Sequence, residues 1–242
     1  MRSKRYLPVL PAVLAWTLFA ASPASASVTW DGDASQGTGV FGNLECPSPG
    51  GIVGAEQTDG HGTVWRYTKA VGLDRCESRG IRVDGSRYVF RNNSTYYLGW
   101  ESKLSTTSLP TGDFICFQWK SYPNATQNYP VLMTVNHDQV DLVYVSPDTD
   151  WHHIWTAPVA AWDWHRYVLA IHTSDSATDG WIELWFDGVK QTFTNGATRY
   201  TGRTWDSANE PKWGAYDRDH PDSEVVNRVD SLKLGTAYAD VD

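Results

Sequence analysis

The sequence runs to 242 residues, with 28 acidic side chains against 20 basic ones and a formal net charge of −8. An acidic surface of that kind excludes nucleic acid as the main partner, and the lack of any long helical period excludes a helical bundle. Thirteen Trp, 12 Tyr and 7 Phe set among 20 Gly and 12 Pro are instead the composition of short aromatic strands broken by turns.

Residues 1–26 read as a secretory signal peptide: a basic MRSKR, an apolar YLPVLPAVLAWTLFA, and a cleavage signature ending in Ala24-Ser25-Ala26. The apolar run is too short to span a bilayer. The expectation is an exported, extracellular protein that begins near Ser27 and has no membrane partner. Removing Arg2, Lys4 and Arg5 leaves 17 basic against 28 acidic side chains, a net charge of −11. Residues 27–242 are expected to form one domain and to act as a monomer, because no repeat, linker or charge block divides them.

Strands are predicted over 62–69, 75–83, 95–104, 114–121, 130–136, 139–145, 166–174, 180–188, 212–218 and 226–235, each rich in β-branched and aromatic residues between turn formers. Asp187-Gly188 is a strong hairpin signal within this series. So many strands in one chain predict an all-β fold, two antiparallel sheets packed as a sandwich or jelly roll. Trp181 and Trp185 alternate within an apolar strand and are assigned to the core.

Three cysteines in an exported chain leave one pair and one spare thiol. Cys46 and Cys76 flank loop-like sequence and are the expected disulfide, while Cys116 lies in an apolar strand as a small buried hydrophobe.

Three strands carry polar groups on one alternating face. RCESR places Arg75, Glu77 and Arg79 together, FICFQWK places Gln118 and Lys120 on the side of Cys116, and PKWGAYDRD aligns Lys212, Gly214, Tyr216 and Arg218. These segments together resemble the signature strands of the jelly-roll polysaccharide lyases, a group that includes alginate lyases, heparin lyase I-like enzymes and glucuronan lyases. The group's motifs are Arg-x-Glu, Gln-x-His and Lys-x-Gly-x-Tyr, in that order. YYLGWESKL and IWTAPVAAWDWHRYVLAIHTSDSATDGWIELWFDG extend the likeness, most of all to the glucuronan lyases.

The resemblance implies a β-jelly roll and an endo-acting lyase for a uronic-acid polymer, with glucuronan first and alginate or a glycosaminoglycan next. In that reaction the C5 proton is removed, the C4–O4 bond breaks and an unsaturated uronate end forms. Arg75 and Gln118 would neutralise the substrate carboxylate, assisted by Arg79, since both side chains donate to a planar anion. Tyr216 would take the C5 proton and return it to O4. An isolated tyrosine titrates near 10, so neighbouring cations such as Lys120 and Lys212 would be needed to favour its phenolate. Lys212 stands roughly 13 Å along the strand from Tyr216 at about 3.3 Å per residue, which suits it to a neighbouring sugar's carboxylate. Arg218 completes the basic set.

Lys120 stands where the motif has histidine, and His61, in DGHGTVWRY, is the candidate to supply one from elsewhere. The chemistry requires no cofactor. A structural calcium is the metal this class of sandwich suggests, with Asp230, Asp31 and Asp33 as oxygen donors. Two other readings are a non-catalytic glycan-binding module and a glycoside hydrolase. The first would have no need of the phenol, amide and arginine together, and the second needs two carboxylates flanking the bond, which no strand presents.

Overall fold

A computed structural model describes residues 28–242 except 58, 124, 218, 220 and 221. The signal-peptide reading and Arg218 therefore lie outside the described residues. Two antiparallel sheets face each other, of nine and eight strands among the described residues. In the first, the order is Val189–Lys190, Trp181–Phe186, Trp164–His172, Thr95–Leu104, Val225–Gly235, Thr63–Lys69 and Ile52–Glu56, with Val28–Asp31 and Tyr200–Thr201 added at its flanks. In the second it is Trp151–Pro158, Gln139–Val145, Val131–Asn136, Phe114–Ser121, Asn209–Tyr216, Arg75–Val83 and Phe41–Glu45, with Ser86–Arg87 paired to Arg75–Val83. The one α-helix among the described residues, Tyr238–Val241, is four residues long, and no helix is long and apolar enough to cross a membrane.

The predicted strands are present, and seven more join them among the described residues, the three longest being Phe41–Glu45, Ile52–Glu56 and Trp151–Pro158. Their sequences, FGNLE, IVGAE and WHHIWTAP, mix glycine and polar residues without a clean alternation, so periodicity misses them.

Large aromatics fill the space between the sheets. Trp65, Trp119, Trp213, Tyr67 and Phe117 are fully buried, and Trp100 of one sheet stacks on Phe117 of the other with ring centroids 4.7 Å apart. Each contributes about 1.5–3 kcal/mol or more by leaving water. These inward side chains fix which residues face out. Cys76, Phe117, Trp119, Trp213 and Ala215 point to the core, so their strand neighbours Arg75, Glu77, Gln118, Lys120, Lys212 and Tyr216 point to the opposite face of the eight-stranded sheet.

Two expectations change here. Trp181 and Trp185 are only partly buried. The core face of their strand is Ile182 and Leu184, and both tryptophans lie on the outer face, beneath Arg199 at 3.8 Å and Lys190 at 4.8 Å. Cys116 does not share a face with Gln118. A register shift between Ile115 and Phe117 turns Cys116 into the core and Ile115 outward, as a bulge does by adding a residue to one strand. Cys46 and Cys76 are joined as a disulfide. Cys116 is a buried free thiol that burial pushes up to about 12.

Candidate active site

The three polar strands are neighbours, with Asn209–Tyr216 in the middle. Lys212 is opposite Arg79 on one side and Gln118 on the other, and Tyr216 is opposite Arg75 and Ile115. Side chains separated by more than a hundred positions thus share one outward face. Gly214 stands opposite Glu77. Its φ is +142°, and a Cβ there would sit 2.1 Å from the Cys76 carbonyl oxygen. Glycine is required because the backbone of the next strand passes this close. The ladder skips between Trp213 and Tyr216 at this point, and the bulge delivers Tyr216 to the outer face.

Glu45, at the end of the Phe41–Glu45 strand, organises the cations. Its Oε2 accepts from Lys212 Nζ at 2.8 Å and Arg75 Nη1 at 3.3 Å, and its Oε1 lies 2.9 Å from Arg79 Nη1. Burial raises the Glu45 pKa, but the Lys212 hydrogen bond and charge, then Arg79 and Arg75, outweigh it and hold the carboxyl below its usual range. Glu77 is 1% exposed and binds Lys212 Nζ at 2.7 Å and Arg75 at 3.3 Å through Oε2, while its Oε1 accepts from the Gln118 amide. Glu210 takes Arg87 and Arg79 in the same way at the far end of the strand.

Lys212 therefore does not reach out for a sugar. It is 0% exposed, held between two glutamates, because an ammonium taken out of water must be paired. Arg75, Gln118 and Lys120, on the same three strands, do border open space.

That space is a cleft of about 550 Å³, lined by Arg75, Gln118, Lys120, Tyr216, Tyr129 and Trp151, with the carboxylates Asp113, Asp217 and Asp219 also on its wall. The Arg75 guanidinium lies 4.1 Å from the centroid of the Tyr216 ring. Lys120 Nζ donates to Asn128 Oδ1. Burial, then the charges of Lys212, Arg75 and Arg79, lower its pKa to about 8, with Glu45 opposing. A second hollow of about 370 Å³ on the same face lies between Arg79, Tyr122 and Glu210, with the Arg79 guanidinium 4.2 Å from the Tyr122 ring centroid. Glu45, Asn128, Tyr129 and Trp151 were not read from the sequence. Only their approach to the three polar strands identifies them.

His61 is not in this cleft. It joins the outer face of the other sheet, 3.0 Å from Glu101 Oε2 and 3.0 Å from Asp59 Oδ1, stacked on Trp164 at 4.1 Å. The segment before Thr63–Lys69 belongs to the nine-stranded sheet, so the histidine cannot assist Tyr216. Asp230 does lie close to His61 and Glu101, with ligand atoms within 4.8 Å of one another, but Asp31 is outside that group, its Oδ1 accepting from the Asp33 amide. Calcium takes six to eight oxygens. This group offers two carboxylates and an imidazole, with Glu101 also bound to Arg166 at 3.2 Å.

A sequence model of a family described as "Polysaccharide lyase" matches residues 55–238. No curated protein matches the chain. Among solved structures, an endo-β-1,4-glucuronan lyase from the fungus Trichoderma reesei has a TM-score of 0.65 at 18% identity, over 89% of this chain and 98% of its own. An alginate lyase of Polysaccharide Lyase family 7 has a TM-score of 0.54 at 12% identity, over 77% of this chain and 82% of its own. The alginate lyase from Corynebacterium sp. has 0.53 at 14%, over 77% and 81%. These likenesses establish the jelly-roll fold.

Proposed function

Because this chain belongs to the polysaccharide lyase family, we propose that it is an exported enzyme that cleaves internal bonds of a uronic-acid polymer by β-elimination. The observation that carries this reading is the meeting of Tyr216, Arg75, Gln118 and Lys120, from three adjacent strands, on one cleft.

The roles follow from the donors each side chain has. Loss of the C5 proton puts charge onto the uronate carboxylate, which needs donors already in place. Arg75 and Gln118 supply them, and Glu77 holds both, bonding the guanidinium at 3.3 Å and the amide through its other oxygen. Tyr216, beneath the Arg75 guanidinium, takes the C5 proton. The electron pair forms the C4=C5 double bond, the C4–O4 bond breaks, and Tyr216 returns the proton to O4. One phenol can do both when the proton and O4 lie on the same side of the ring, as they do in glucuronate and mannuronate. Lys120, as ammonium, binds the carboxylate alongside. Tyr129 and Trp151 offer flat apolar faces to a sugar ring, and Arg79 with Tyr122 extends the binding face beyond the cleft.

Glucuronan is the first substrate, with alginate or a glycosaminoglycan next. The support is the fold shared with the Trichoderma reesei glucuronan lyase and the syn geometry that a single acid–base residue needs. The test is to incubate the protein with glucuronan, polymannuronate, polyguluronate and heparin and follow the ultraviolet absorbance of the unsaturated product. Absorbance is expected on glucuronan first. Silence on all four polymers would overturn the reading in favour of a binding module.

A further inference from the structure

The outer face of the nine-stranded sheet, away from the cleft, carries an unusual row. Arg228 is opposite Arg66 in one strand pair and opposite Lys103 in the next, and Lys103 is opposite Trp164. At about 4.8 Å per strand the row spans roughly 14 Å. Like charges directly opposite each other destabilise a sheet, and here the pair at one end of the row, Arg66 and Arg228, is two guanidinium groups with no ion pair to either among the described residues.

The surrounding cations are handled differently. Lys103 bonds Asp59 at 2.7 Å, Arg166 bonds Glu101 at 3.2 Å, and Lys190 and Arg199 share Glu183 at 2.8 and 2.7 Å. Arg66 Nε and both Arg228 Nε and Nη1 are shielded from solvent without a hydrogen-bond partner, as Arg166 Nε is too, but neither Arg66 nor Arg228 has a carboxylate partner among the described residues. Burial and the Arg66 charge lower the Arg228 pKa, and Asp59 opposes this only from a distance. Two adjacent guanidinium groups with no carboxylate of their own leave positive charge for an acceptor that the described residues do not supply.

An aromatic completes the arrangement. Trp162 is 48% exposed, and its ring centroid is 4.6 Å from the Arg228 guanidinium. Its φ is +70°, a conformation that costs a bulky residue energy and persists where the surroundings impose it. An exposed indole beside two unpaired cations matches a ligand with both flat apolar faces and negative charge.

We propose that Arg66, Arg228 and Trp162 form a second binding site for an acidic polysaccharide, on the sheet opposite the cleft. A uronate carboxylate bridges the two guanidinium groups and the sugar ring lies against Trp162. The choice of polyuronate over other polyanions rests on the lyase reading above. Such a site would keep the enzyme on the polymer while the cleft releases one cut end and takes the next, since a second contact on one chain raises the effective concentration at the first.

The test uses Tyr216→Phe, so that the polymer survives, in affinity electrophoresis through gels with and without glucuronan. Adding Arg66→Gln and Arg228→Gln is expected to weaken retardation by about tenfold in apparent Kd. The single variants R66Q and R228Q should show the same loss in smaller measure. Each removes a like-charge contact, so without polymer their melting temperatures stay at or above the parent's, which separates lost binding from lost folding. Unchanged retardation in the double variant overturns the proposal, and so does retardation by single-stranded DNA but not by glucuronan. A wild-type protein that makes no unsaturated product yet shows retardation dependent on Arg66 and Arg228 would sink the lyase reading and leave this site standing.

Discussion

In the proposed elimination Tyr216 carries both proton transfers, so Tyr216→Phe is expected to lower kcat/KM by about 10²–10⁴-fold. The hydroxyl faces the cleft and not the core, so far-ultraviolet circular dichroism should be unchanged. Near-normal turnover in that variant would remove Tyr216 from the mechanism. Lys120 sets the alkaline limit. Its pKa is lowered to about 8, so the ammonium that binds carboxylate is present below that pH and lost above it. The kcat/KM profile on glucuronan, which reports the free enzyme, should fall as pH rises through about 8. Lys120→Arg keeps its charge across that range and should lose this limb. An identical profile in the two proteins would show that another group is titrating.

At the scale of elements, the middle strand Asn209–Tyr216 ties its neighbours together with charge as well as backbone. Lys212 is the centre of this, held by Glu45 and Glu77 with no exposure. Lys212→Ala removes the cation between two crowded carboxylates and should cost about 3–5 kcal/mol, the usual penalty for breaking a buried pair. Urea unfolding monitored by tryptophan fluorescence would measure it, and a change under about 1 kcal/mol would mean that Glu45 and Glu77 are adequately paired by Arg75 and Arg79 alone. The disulfide acts on the same group from the edge. Cys46 follows Glu45 directly and joins Cys76 across 30 residues, a closure worth roughly 3 kcal/mol. Reductant should lower the urea midpoint and raise KM together, because the strand that carries Glu45 is loosened. A fall in stability with KM untouched would confine the disulfide to stability.

Over the whole molecule one contiguous core joins both sheets, so calorimetry should show a single cooperative transition, and two resolved transitions would contradict this. The sequence made the sandwich legible, along with the three polar strands, because alternation of aromatic and polar side chains is a local property. It did not disclose Glu45, whose strand FGNLE has no period, nor the bulges at Cys116 and Gly214, where the alternation slips by a residue. Lys212 was legible as a member of the site but not in its role, since burial depends on what lies across from it. His61 was legible as a histidine but not in its place, for a related reason. Chain order places it near the first motif, while pairing of Thr63–Lys69 with Val225–Gly235 carries it to the other side of the core.

The strand that bears Tyr216 is also the last of its sheet to be synthesised, yet it pairs in the middle, between Arg75–Val83 and Phe114–Ser121. Until it inserts, Arg75 and Gln118 belong to two separate sheet edges with no phenol between them. In the proposed mechanism the nascent chain is therefore an inactive precursor almost to its end. A ribosome that stalls anywhere before Tyr216 releases a protein with most of its mass, two unpaired edges open to aggregation, and no means of cutting a polymer.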